Sequence, residues 1–150
     1  MREAIRLAAG NVEEGRGGPF AALVVHDGRV VARGTNLVTT ANDPTAHAEI
    51  VAIRRACEAL GVFQLADCDL YTSCEPCPMC MGAIYWARPA RVFYGGTRHD
   101  AARAGFDDAF IYDELLRTPE ARQIPMINLL RAEAAQPFAV WEAFERRVRY

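Results

Sequence analysis

Strand-like and helix-like patterns alternate along this chain, and that alternation limits the architectures open to it. Residues 21–25 and 29–33 are β-branched runs joined at Asp27-Gly28, a hairpin signal. Before them, Ile5, Ala8, Ala9 and Val12 form an apolar helical stripe, which Gly15, Gly17, Gly18 and Pro19 interrupt. After a loop over 34–43, Pro44 and Thr45 open a second helix, with Asp43 or Thr45 as its cap. Ile50, Ile53, Cys57 and Leu60 are expected on its buried face and Gly61 at its end. Residues 69–73 read as a strand, Pro78–Ala87 as a helix closed by Pro89, and 91–95 as a central strand. Residues 96–118 are irregular with short helical pieces, and 124–130 read as a late strand. Phe138, Trp141, Phe144 and Val148 mark an amphipathic C-terminal helix. A mixed sheet with helices on both faces is the natural solution for this order, an α/β fold with some parallel pairing through right-handed crossovers. The 150 residues fit a single domain spanning 1–150.

Two short segments carry the chemistry. His47-Ala48-Glu49 lies at the start of one expected helix, and Pro76-Cys77-Pro78-Met79-Cys80 at the start of the next. Zinc binds imidazole nitrogen and thiolate sulfur, and a catalytic site leaves its fourth position open for water. Cys77 and Cys80 are three apart, so the opening of a helix turns both sulfurs to one side. With His47 they make three ligands. Both segments sit at helix N-termini, whose positive ends favour thiolate. Glu49 is close to the metal but badly placed to bind it beside His47. It suits a proton carrier between water and a substrate nitrogen. H-x-E followed by P-C-x-x-C is the signature of zinc base deaminases. A closed structural site with Cys74 as a fourth ligand is the alternative, but it leaves Glu49 without a reason.

Five cysteines, three of them within seven residues, argue for an intracellular metal or thiol site over a disulfide framework. Cys57 and Cys68 read as small core residues. A formal net charge of −2 argues against a protein that grips long nucleic acid. No run approaches the roughly 20 apolar residues of a membrane span. The opening MREAIRLAAGNVEEG carries acids and no apolar signal core, so a cytoplasmic protein is expected.

The stretches GGPFAALVV (17–25), NLVTTANDPTAHAEI (36–50), LYTSCEPCPMCMGAIYWARPARVFY (70–94) and AGFDDAFIY (104–112) resemble the bacterial guanine deaminases of the cytidine deaminase-like superfamily. The first motifs are shared with tRNA adenosine deaminases and cytosine deaminases. The FDD stretch and terminal Tyr150 are more selective. The resemblance implies a three-layer α/β/α sandwich around a five-stranded mixed sheet. It implies one Zn2+ per subunit on His47, Cys77 and Cys80, and Glu49 as proton shuttle. It places Asn36 and the backbone at Ala48 against a purine, and makes Phe20 and Trp86 pocket walls. Asp108 would face the substrate edge and relay protons near the leaving amino group. It further implies a homodimer exchanging C-terminal segments, about 136–150, with Tyr150 closing the neighbour's pocket. The expected substrate is a small nucleobase, guanine, hydrolysed to xanthine and ammonia. Guanosine, cytosine, a triazine or tRNA adenosine remain as rivals, and a non-catalytic zinc module is the reading from another class. Taken singly, Asn36 also fits a turn residue, Asp108 a loop acid and Tyr150 a frayed end.

Overall fold

The hairpin forms where Asp27-Gly28 places it: both residues have positive φ, 48° and 73°, as a tight two-residue turn requires. It joins β1 (Ala21–His26) to β2 (Arg29–Thr35), paired antiparallel with Ala22 opposite Gly34 and a register shift at Val24/Val25. β1 also pairs antiparallel with β3 (Cys68–Cys74), and β3 pairs parallel with β4 (Arg91–Gly96). The sheet order is β2-β1-β3-β4. The helix between the two parallel strands is the crossover that parallel pairing needs.

The computed structural model describes all 150 residues and comprises two compact units, Met1–Ala109 and Phe110–Tyr150. The first holds α1 (Arg2–Glu13), the single turn α2 (Val38–Ala41), α3 (Ala48–Leu60), α4 (Pro78–Ala87) and α5 (Arg98–Arg103) around the sheet. α6 (Ala109–Leu116) and α7 (Gln136–Ala143) account for the helices of the second.

Ala22, Val24 and Leu70 pack with Ala48, Ala52 and Ala56 of α3, and Ile84 of α4 joins the same cluster. Leu23 points to the opposite face by strand alternation and is equally buried, and α1 packs against β1 and β3. The buried face of α3 is therefore its alanine face. Ile53, Cys57 and Leu60 only flank it, and Ile50 is half-buried. The reason is the close approach of β2. A Cβ on Gly34 would stand 2.2 Å from the Ala48 carbonyl oxygen and 2.5 Å from the Ala52 nitrogen. Strand and helix backbones are in direct contact there, which leaves no room for larger side chains.

Several expectations need correction. α1 buries Ala4, Ala8 and Asn11, leaving Ile5 and Val12 about half exposed, because the Asn11 amide turns inward to bond loop carbonyls. α3 starts at Ala48, not at Pro44. Asp43 accepts from the Thr45 N–H at 2.8 Å and so holds residues 43–46 in a turn. The sheet has four strands, not five. Residues 124–130 form no strand: Pro125 has no N–H to give a ladder, and Ile124, Ile127 and Leu129 are exposed. The C-terminal helix ends at Ala143, short of Phe144 and Val148. Within the second unit, Glu114 accepts from Arg122 and Gln123, tying α6 to the following turn.

Candidate metal centre and pocket

Two helix starts meet at one point. His47 is the N-cap of α3 and Cys77 the N-cap of α4, each with extended backbone, ψ 154° and 169°. An N-cap residue stands outside the helical spiral, so its side chain is free to project past the helix end. Pro78 at the first helical position fixes the entry to α4, and the Cys80 N–H donates to Cys77 Sγ at 3.5 Å. Cys77 Sγ and Cys80 Sγ lie 3.5 and 3.6 Å from His47 Nδ1, and the three donor atoms all fall within 4.8 Å of one another. A tetrahedral zinc bonded to sulfur and nitrogen separates such donors by about 3.5 Å. The donor set and its spacing fit zinc.

Glu49 is the second residue of α3, in its first turn, and is buried, 6 % exposed. Thr72 Oγ1 lies 3.3 Å from its Oε1. A cavity of about 540 Å3 opens over His47, Glu49 and Cys77, in the range of small-molecule sites. Asn36, Phe20, Phe106 and Asp108 also line it. Phe20 and Phe106 meet edge to face, with ring centroids 4.9 Å apart. Asn36 Oδ1 accepts from the N–H groups of Gly18 and Val38, each at 3.4 Å. That orientation leaves the amide NH2 of Asn36 as the group offered to a ligand. Asn11 braces this wall from below, its Nδ2 donating to the carbonyls of Gly18 and Asn36 at 2.9 Å. Gly17 lets the wall close, since a Cβ there would sit 2.3 Å from the Asn36 carbonyl oxygen.

Residues 1–96 match the family described as the cytidine and deoxycytidylate deaminase zinc-binding region. The chain belongs to this family. Over its whole length it is 55 % identical to the guanine deaminase of Bacillus subtilis, covering 96 % of that protein. The crystal structure of the same relative superposes with a TM-score of 0.97 over 99 % of this chain and 95 % of that one. A guanine deaminase from Nitrosomonas europaea is similar at 34 % identity and a TM-score of 0.67, over 71 % of this chain and 62 % of that one. The tRNA-specific adenosine deaminase of Agrobacterium fabrum is 54 % identical, but over 77 residues only, 51 % of each chain.

The three ligands hold their protons unequally. Cys77 is pushed down to about 4, first by the hydrogen bond from Cys80, with His47 adding to it against burial. Cys80 is pushed up because its proton serves that same hydrogen bond, and burial and Glu49 add to the effect. His47 is raised, chiefly by its contact with Cys77. Burial raises Glu49, and burial followed by the Cys77 charge raises Asp108.

The structure thus brings together His47, Glu49, Cys77, Cys80, Asn36, Phe20 and Asp108. Ala48 lies fully buried between two of them. Trp86 is on the exposed side of α4, 63 % accessible, and does not line the cavity. Tyr150 is exposed in the second unit. Cys74 lines the cavity, and its Sγ approaches the Thr97 carbonyl at 3.5 Å. Sequence reasoning missed Phe106, Thr72 and Asn11. Phe106 stands beside the Asp107-Asp108 pair, which was its available signal.

Proposed function

We infer that this protein hydrolyses guanine to xanthine and ammonia, with zinc held by His47, Cys77 and Cys80. The observation that carries the reading is its likeness to a guanine deaminase along the entire chain, in sequence and in fold. The likeness to tRNA-specific adenosine deaminases covers part of the chain, from 51 % to 76 % of it, and a net charge of −2 offers little to an RNA backbone.

When bound, zinc supplies the Lewis acidity that brings the ionisation of water towards neutral pH. Glu49 takes a proton from the attacking water and returns it to a ring nitrogen of the purine, as oxygen adds at C2. A buried carboxyl with a raised pKa suits both halves of that transfer. Asp108 accepts from N1–H and the 2-amino group together, an edge that adenine lacks. It takes part in moving the proton to the departing ammonia. Asn36 donates its amide hydrogens to a purine carbonyl or ring nitrogen, and the backbone at Ala48 contacts the ring. Phe20 packs on the base.

The finer arrangement extends this reading. Helices on both faces of the sheet support a three-layer α/β/α sandwich. A homodimer that exchanges segments near 136–150 would bring the partner's Tyr150 and the exposed Trp86 to the closed pocket. The apolar surface of the second unit, including Phe138 at 71 % and Val140 at 64 % exposed, supports such an exchange. Removing residues 144–150 should abolish turnover, and undiminished activity would take Tyr150 out of the site. No helix is long and apolar enough to cross a membrane. Free thiols at a metal site fit a cytoplasmic location. The catalytic assignment is tested by Glu49→Gln, which should keep its zinc and lose guanine turnover. An active Gln variant would remove Glu49 from the proton path.

A further inference from the structure

We propose that Thr72 is the positioning residue for Glu49, its hydroxyl fixing the carboxylate that carries the proton. The proposal rests on the reading of Glu49 given above.

Thr72 is the third inward-facing position of β3, after Cys68 and Leu70, and is 2 % exposed. A strand face packed under a helix calls for apolar side chains, and the first two positions comply. A buried hydroxyl at the third position needs partners. It has two: Thr72 Oγ1 is 2.9 Å from the Cys74 carbonyl oxygen and 3.3 Å from Glu49 Oε1. A hydroxyl has one proton to donate and lone pairs to accept with. Both contacts converge on one hydroxyl oxygen, which holds the Glu49 carboxyl against the end of β3.

The position in the fold strengthens the case. Glu49 and His47 belong to the start of α3, whereas both cysteine ligands belong to the start of α4. β3 is the strand that runs into Cys77, and Cys74, its last residue, lies three positions before that ligand. The Thr72 contact spans 23 residues of sequence and ties the carboxylate of one helix start to the strand that delivers the ligands of the other. Local packing alone would be served as well by valine, which has the same shape and no hydroxyl.

The test compares Thr72→Val and Thr72→Ser with the wild type as full-length, zinc-loaded proteins turning over guanine. Val should lower kcat about 10-fold or more with KM and zinc content unchanged, because a misaligned proton carrier slows the chemical step without touching binding. Ser should restore most of kcat, since it returns the hydroxyl. If Val does not fold, Thr72→Ala removes the same hydroxyl and carries the same expectation. A wild-type kcat in the Val variant would overturn the proposal. So would a Ser variant as slow as Val, which would reduce Thr72 to a packing residue. Wild-type turnover in the same assay tests the parent reading separately.

Discussion

Gly34→Ala puts a single methyl between β2 and α3, and its cost can be worked from the contacts. The new Cβ would stand 2.2 Å from the Ala48 oxygen and 2.5 Å from the Ala52 nitrogen. Both are backbone atoms, and they face each other as partners in the four-residue hydrogen bond of the helix itself. Neither can rotate away. Carbon needs about 3.5 Å from such neighbours, so α3 must retreat by about 1 Å or break its first turn. Overpacking of this kind costs about 3 kcal/mol, the upper end of the usual range. For a chain of this size that lowers Tm by about 6–12 °C. The turn displaced is the one carrying His47 and Glu49, while Cys77 and Cys80 stay on α4. A misplacement of about 1 Å between these groups should cost about 100-fold in kcat. Gly82→Ala is the control. It lies inside α4 with no atom near the added Cβ, and it should stabilise the protein by about 0.5–1 kcal/mol through helix propensity. Thermal unfolding, zinc stoichiometry and guanine turnover on both variants decide the matter. A Gly34→Ala protein that melts and turns over like the wild type would refute the close-approach argument.

Asn11→Leu strips the donors from the Gly18 and Asn36 carbonyls, although it also removes the one buried polar atom without a partner, Asn11 Oδ1. It should cost about 1–2 kcal/mol in urea unfolding and raise KM for guanine as the Asn36 wall loosens. An unchanged midpoint and KM would contradict that role. Zinc binding should release protons at neutral pH, because both thiols must ionise and the imidazole must be neutral. Cys77 is ionised beforehand, with a pKa of about 4, but Cys80 and His47 are both held protonated more firmly than usual. Protons compete with the metal, so affinity falls as pH falls. Calorimetry in buffers of different ionisation enthalpy should show a buffer-dependent heat, and identical heats would contradict the protonated cluster.

What the sequence discloses follows the range of the forces involved. The hairpin and α4 are local: Asp27-Gly28 and Pro78 act on their immediate neighbours, and both elements form where those residues put them. The metal ligands are legible because their chemistry demands a fixed set of residue types at a fixed spacing. The start of α3 is less so. The Asx turn of Asp43 delays it by several residues, and that delay is what makes His47 an N-cap. The inward faces of α1 and α3 were mis-assigned because their packing depends on a backbone approach and a buried amide that periodicity does not register. Residues 124–130 show the converse: an apolar run reads as a strand, yet Pro125 and the lack of a sheet partner leave it irregular. Thr72 is invisible from sequence, since it matters through a partner distant in the chain.

The most direct measurement is ammonia release by the purified, zinc-loaded protein, with guanine, guanosine, cytosine and adenine compared side by side. Rapid release from guanine and little from the other three is the expected result. Preference for cytosine or adenine, or no release from any of the four with zinc present, would contradict the assignment of guanine to this pocket.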